Sequence, residues 1–182
     1  MSRIPTPATV ADAPAQSQPL LENVQKSLGS VPNLFRIVAN SPAALEGYLG
    51  LNGALAQGQL DAATRERIAL AVAEINGCGY CLAAHSYLGK NVAKLTGTEI
   101  AANRQGTSTD ARADAAVRFA AEIARERGQV SADAVNTVKR AGYSDAEVVE
   151  IVAHVALNTL TNYVNEVLDT AIDFPAVDRD AA

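Results

Sequence analysis

The chain holds two cysteines, Cys78 and Cys81, three residues apart, and one of its two histidines, His85, follows four residues after the second. Soft ionisable groups at such spacings suit disulfide exchange or metal binding. On a helix, residues three and four apart share a face, so the three side chains would lie in a row. Asn76 and Gly77 break any preceding helix, which places the row at the start of a new one. There the helix dipole and free N–H groups stabilise a thiolate, and a neighbouring imidazole can take its proton. Cys81, closer to His85, is the expected nucleophile of a redox-active dithiol. Regular helix spacing leaves the two Cβ atoms slightly too far apart for a disulfide, and the glycines on either side of Cys78 would let the first turn adjust.

The base for this pair is expected from the helix before it. Asp61 suits an N-cap, and Ile68, Leu70, Ala71, Val72 and Ile75 make the following stretch apolar nearly all round, as in a buried helix. At a rise of about 1.5 Å per residue, Glu66 lies roughly 15 Å before the Asn76 turn and His85 roughly 12 Å after it. Antiparallel packing would therefore set Glu66 level with His85. Glu74, beside the turn and level with Cys78, is the second candidate carboxylate.

Zinc is the alternative chemistry. Cys78, Cys81 and His85 would need a fourth ligand from elsewhere, such as His154, because structural zinc sites are closed by four. No second CxxC and no HxxxH supplies it. A non-catalytic zinc-binding or redox-sensing module, or two inert buried thiols beside a core histidine, stand next to the redox reading. Haem attachment is excluded, because Leu82 occupies the position where CxxCH requires histidine.

The elements that must position these groups read as helices throughout. Few aromatics, no Trp and many Ala, Val and Leu favour packed helices with small side chains at their contacts, an all-α fold. Periodicity and caps predict helices over 20–28, from Asn33 to Val38, from the Ser41 cap to about Gln57, 61–76, 78–95, 98–103, 110–127, 131–140, and 144 to about 172. Gly47, Gly50 and Gly53 would leave one side of the third helix bare for a close backbone approach. The loop from Arg104 to Thr109 reads as a connection only. On the last helix Val148, Ile151, Val152, Val155, Leu160, Tyr163, Val164, Val167 and Leu168 are the expected buried side. The opposite stripe of Glu150, His154, Asn158, Thr161 and Asn165 reads as solvated, with an interface or active-site role as the alternative.

Residues 1–19, with Pro5, Pro7, Pro14 and Pro19, are expected to form an extended arm, 20–175 a single helical domain, and 176–182 a flexible tail. The 182-residue chain carries a net charge of −5 without any Lys/Arg run, which argues against nucleic-acid and membrane-surface partners. Without a signal-like apolar core or a bilayer-length stretch, a cytoplasmic location is expected. Thiols are kept reduced there, so two cysteines three apart are expected to turn over. No cofactor is expected.

The run Arg65, Glu66, then Ala69 through Cys78 and on through CxxCxxxH to His85 resembles the alkylhydroperoxidase D and carboxymuconolactone decarboxylase superfamily. The likeness centres on residues 41–104. Asn158 to Tyr163 and Asp173 to Pro175 are similar to the branch usually described as peroxidase-related. The resemblance implies an all-helical fold, homo-oligomers, and peroxide reduction in antioxidant defence. Cys81 would become a sulfenic acid, Cys78 would resolve it to a disulfide, and Glu66 would move protons through His85. It also implies a dihydrolipoyl or thioredoxin-like reductant. The well-studied peroxidases of this group carry histidine just before the second cysteine, where this chain has Tyr80. A phenol donates a hydrogen bond but shuttles protons poorly at neutral pH, so Tyr80 is the site residue expected to set this activity apart. Lactone decarboxylation, a lyase-type alternative, is disfavoured because that branch lacks the dithiol.

Overall fold

Short polar side chains ahead of apolar runs do start the helices. In the computed structural model, which describes residues 2–177, the elements are α1 Gln18–Leu28, α2 Asn33–Val38, α3 Pro42–Ala56, α4 Ala62–Ile75, α5 Gly79–Asn91, α6 Gly97–Arg104, α7 Ala111–Arg125, α8 Ala132–Arg140 and α9 Asp145–Leu168. A single 3-10 turn, Val10–Asp12, precedes them, and no strand occurs among the described residues, so the all-α expectation holds. Ser41, Asp61, Thr96, Asp110, Ser131 and Ser144 each accept a hydrogen bond from the backbone N–H three residues on. Ser144 completes a capping box with Glu147.

α4 is the axis of the molecule. It packs against α5, α6, α7 and α9, and its stretch from Ile68 to Ala73 is fully enclosed. Alanines at 69, 71 and 73 on α4, and at 113, 116 and 120 on α7, allow that close approach. Ile68 and Val72 meet Phe119, Ile151 and Val155 in the largest apolar cluster. Burying each such side chain contributes about 1.5–3 kcal/mol. A second cluster holds the N-terminal helices through Leu21, Val24, Phe35 and Leu45.

Several expectations need correction. Asn33 does not cap α2 with its own side chain. The cap comes from the far end of the chain, where Asp173 Oδ2 accepts from Asn33 N at 2.8 Å. α5 stops at Asn91 rather than Leu95, and α9 stops at Leu168, where Asp169 turns left-handed at φ 51°. The loop after Arg104 is more than a connection. Ser108 Oγ and the Thr109 backbone and hydroxyl all bond the buried Glu99 carboxylate. The glycine row of α3 meets no neighbouring backbone, since a Cβ at Gly47, Gly50 or Gly53 would find nothing within 4 Å.

The largest correction concerns α9, whose polarity is inside out. The polar stripe at His154, Asn158, Thr161 and Asn165 is buried, whereas Val152, Leu160, Tyr163 and Val167 are exposed, Val167 at 61%. Of the apolar set expected inside, Ile151 and Val155 are enclosed. Polar and apolar stripes share one helical period, so spacing alone leaves open which of them faces inward.

The proline-rich arm runs along its own chain. Asn40 Nδ2 donates to Pro5 O at 2.8 Å, and Arg3 donates to Val167 O and Leu168 O, the open carbonyl end of α9. Of the tail expected at 176–182, residues 178–182 lie outside the described residues. No helix among the described residues is long and apolar enough to cross a membrane.

Candidate active site

One glycine sets the geometry of the hairpin that carries the thiols. Gly77 adopts φ 68° after the last turn of α4, which lets Cys78 N donate to Ala73 O at 2.9 Å and Gly77 N to Glu74 O at 3.1 Å. This pair of bonds closes the carbonyl end of α4 and requires a left-handed residue between them. Cys78 leaves the turn as the N-cap of α5, with its Sγ accepting from Cys81 N at 3.3 Å. Both thiols are buried, Cys81 at 3% exposure.

Three consecutive side chains of α4 then diverge. Arg65 donates to the Ala56 and Leu60 carbonyls, and Arg67 pairs with Glu99 at 2.7 Å. Glu66 between them meets α5, with Oε2 at 2.9 Å from His85 Nδ1. The antiparallel hairpin thus puts Glu66 and His85 level, one turn from Cys81. Glu74 turns away: its Oε2 pairs with Arg104 Nε at 2.6 Å, outside the thiol cavity. It is withdrawn as a partner for the histidine.

The electrostatics separate the two thiols. A hydrogen bond from Cys78 does most to lower Cys81, to about 7, against burial and with help from the charge of His85 and the amides of Asn165 and Asn162. The same bond, followed by burial and the charges of Cys81 and Glu166, pushes Cys78 well above the ordinary thiol range. Glu166 acts at close quarters, since its Oε1 accepts from Gly79 N, the first helical amide of α5. Burial opposes charge on His85, but the bonded Glu66 carboxylate and the nearby Cys81 outweigh it and raise the imidazole above its ordinary value. These surroundings favour charge on Cys81 and His85 and keep the proton on Cys78.

The Cys81 sulfur borders a cavity of about 110 Å³. α3 contributes Tyr48 and Asn52, α4 contributes Glu66, α5 contributes His85, and α9 contributes His154 and Thr161. Farther along α9, Asn165 Nδ2 donates to Cys81 Sγ at 3.3 Å, while Asn162 Oδ1 accepts from Asn76 Nδ2 at 2.9 Å and anchors the hairpin turn. Tyr80 lines the same cavity by its ring, but its hydroxyl donates to Asp173 Oδ1 at 2.8 Å and accepts from Leu34 N at 3.1 Å. Burial first, and then Asp173, drive its ionisation beyond the ordinary phenol range. Tyr80 therefore ties α5 to α2 and the C-terminal segment, and its proton is not directed at Cys81. Among the described residues no three His, Cys, Asp or Glu side chains gather as a metal site, so the zinc alternative finds no ligand set.

Residues 42–126, from α3 to the end of α7, match the model of the carboxymuconolactone decarboxylase family. The fold overlays on the alkylhydroperoxidase core of a peroxidase-related protein from Ralstonia eutropha with a TM-score of 0.83. The two share 26% identity over 94% of this chain and 92% of that one. The family match and the shared fold together support the alkylhydroperoxidase D-like and carboxymuconolactone decarboxylase superfamily that the sequence resembles. Proteins of different description share the fold. A peroxidase-related protein from Silicibacter shares the fold at TM-score 0.79 and 24% identity, covering 94% of both chains. A cysteine-to-alanine variant of the debrominase Bmp8, bound to 2,3,4-tribromopyrrole, shares it at TM-score 0.79 and 22% identity, over 95% of this chain and 94% of that one. No curated protein matches the sequence.

Sequence reasoning missed how much of the cavity comes from outside the superfamily's hairpin. Asn165 and His154 were visible as a polar stripe at spacings of 4, 3 and 4 on an otherwise apolar helix, a signal read with the wrong sign. Tyr48 carried no local signal. It reaches the cavity because α3 folds back onto α9.

Proposed function

We propose that this protein is a thiol-dependent peroxidase, in which Cys81 attacks peroxide and Cys78 resolves the product. The observation that carries this is the Glu66–His85 pair, 2.9 Å across, one helical turn from a thiol held at about 7. The Cys81 thiolate attacks the terminal oxygen of ROOH, an S–O bond forms, the O–O bond breaks, and its electron pair leaves as RO⁻. A proton from the His85 imidazolium, held in place by Glu66, gives ROH. Sulfur is oxidised by two electrons and peroxide reduced by two. The Cys78 thiol then displaces water from the sulfenic acid to form the disulfide, losing its proton as the hydroxyl leaves.

A dithiol reductant of dihydrolipoyl or thioredoxin type returns the pair to thiols by exchange, and the superfamily resemblance is the support for that partner. The resemblance also supports homo-oligomers, and the exposed apolar row of α9 gives a face that a second copy would cover.

Stopped-flow mixing of the reduced protein with peroxide tests the mechanism. Cys81→Ser is expected to abolish the fast phase. Cys78→Ser is expected to keep one turnover and accumulate a sulfenic acid that dimedone traps. An unchanged rate in Cys81→Ser would falsify the mechanism, and turnover of a lactone acid that survives loss of both cysteines would point to the lyase alternative.

A further inference from the structure

The leaving oxygen needs a hydrogen-bond donor besides the one that delivers the proton. As the Cys81 sulfur gives up its charge, RO⁻ develops in a small, partly open cavity that Glu66 also lines. A donor aimed at that oxygen would speed cleavage of the O–O bond.

Most donors around the cavity are already engaged. Arg65 holds the Ala56 and Leu60 carbonyls. Asn158 Nδ2 donates to His154 O at 2.8 Å, and Thr161 Oγ1 donates to Asn158 O at 3.0 Å. The Tyr80 hydroxyl is held between Asp173 and Leu34. His154 Nε2 is sealed from the open space. Asn52 lines the cavity from an exposed position on α3 and is free to bond water.

Tyr48 differs from all of these. Its ring lines the cavity and is clamped against Phe35 with centroids 5.6 Å apart. Its hydroxyl makes no hydrogen bond among the described residues, yet is not among the sealed polar atoms. The charges of Cys81 and Glu66, which line the same cavity as Tyr48, bear on that hydroxyl. Burial, reinforced by those two charges, keeps the phenol protonated. It is a fixed donor that does not itself lose its proton.

We propose that Tyr48 is a catalytic residue of the peroxide reaction, donating a hydrogen bond to the oxygen that leaves when Cys81 attacks. Tyr48 thus does for the leaving group what Tyr80, turned toward Asp173, does not. The inference rests on the peroxidase reading and adds a leaving-group dependence to it.

The test is Tyr48→Phe, which keeps the ring and its packing on Phe35, assayed against peroxides of different leaving groups. With tert-butyl hydroperoxide, whose alkoxide is a poor leaving group, the second-order rate is expected to fall by about tenfold or more. With peracetic acid, whose carboxylate leaves easily, a fall of less than about threefold is expected on the same ground. Alkylation of Cys81 by iodoacetamide should follow the wild-type pH profile, because the thiolate is untouched. Equal peroxide rates in variant and wild type overturn the proposal. So does a uniform loss across both peroxides with a shifted alkylation profile, which would make Tyr48 a thiolate-positioning residue. A wild-type protein inert to every peroxide overturns the peroxidase reading itself, and is distinguished by failing before any variant is compared.

Discussion

Two polar clusters flank α4, and they are built on opposite terms. Around Glu99 every donor has been matched, and the loose end is an acceptor, Asn103 Oδ1, buried without a partner among the described residues. The carboxylate, 4% exposed, receives Arg67, Asn103, Ser108 and both donors of Thr109. Around Cys81 the polar atoms outnumber their partners. His154 Nε2 and Asn165 Oδ1 are buried without a partner, and the Tyr48 hydroxyl makes no hydrogen bond, among the described residues. Buried polar atoms left unmatched are costly to folding. Glu66 and Arg67, neighbours on one helix, belong to different clusters, and on the proposed function one cluster serves chemistry and the other stability.

Substitutions that cross this divide would break it. Glu99→Gln should lower stability by about 3 kcal/mol, because Arg67 loses its buried counter-charge. Activity per folded molecule should stay unchanged, with stability read by denaturant titration. Burial pushes this carboxyl up, but bonding to Ser108, Thr109, Asn103 and Arg67 outweighs it and holds the group well below the ordinary carboxylate range, about pH 4. Its contribution is therefore full above that pH and is lost as pH falls toward the depressed folded value, so the variant should show less acid-linked loss.

Glu66→Gln should do the reverse, leaving stability within about 1 kcal/mol because the pair is partly exposed. Peroxide reduction should slow by about 100-fold. The pH profile carries the sign. The rate should rise as pH climbs through about 7, where the Cys81 thiolate forms, and fall where His85 loses its proton. Without Glu66 the falling limb should move to lower pH, since that carboxylate is what raises His85.

Asn165→Leu sharpens the contrast with a smaller effect. Loss of the 3.3 Å donor should raise the Cys81 value by about one unit, seen in the pH dependence of alkylation. Melting temperature should hardly change, since Oδ1 has no partner to lose among the described residues. Glu166→Gln should have the smallest effect of these, lowering the Cys78 value by about half a unit or less because this carboxylate is solvent-exposed and screened. It is measured by alkylation of Cys78 in a Cys81→Ser background.

What could be read from the chain alone was what is local. Ser41, Asp61, Ser131 and Ser144 sit three residues from the amides they bond, so their roles show in sequence. The placing of Glu66 opposite His85 is nearly as local, since one hairpin with a known rise determines it. Asn33 was misread because its amide is bonded by a carboxylate 140 positions away. The Arg104–Thr109 loop was undervalued because its work depends on Glu99 being buried beneath it. α9 was turned the wrong way because a cavity needs polar side chains inside, and an apolar row can stay outside.

The sulfur that caps α5 has a consequence for the pair's reduction potential. In the dithiol, Cys78 Sγ accepts from Cys81 N. A disulfide would draw that sulfur into a bond and leave the amide without its acceptor. A helix cap is worth about 1 kcal/mol, and the loss falls on the oxidised form alone. At 30 mV per 1.4 kcal/mol, the potential shifts by about 20 mV toward the oxidising side. Fraying of the first turn of α5, read by amide exchange at Cys81, would then report the oxidation state of the pair.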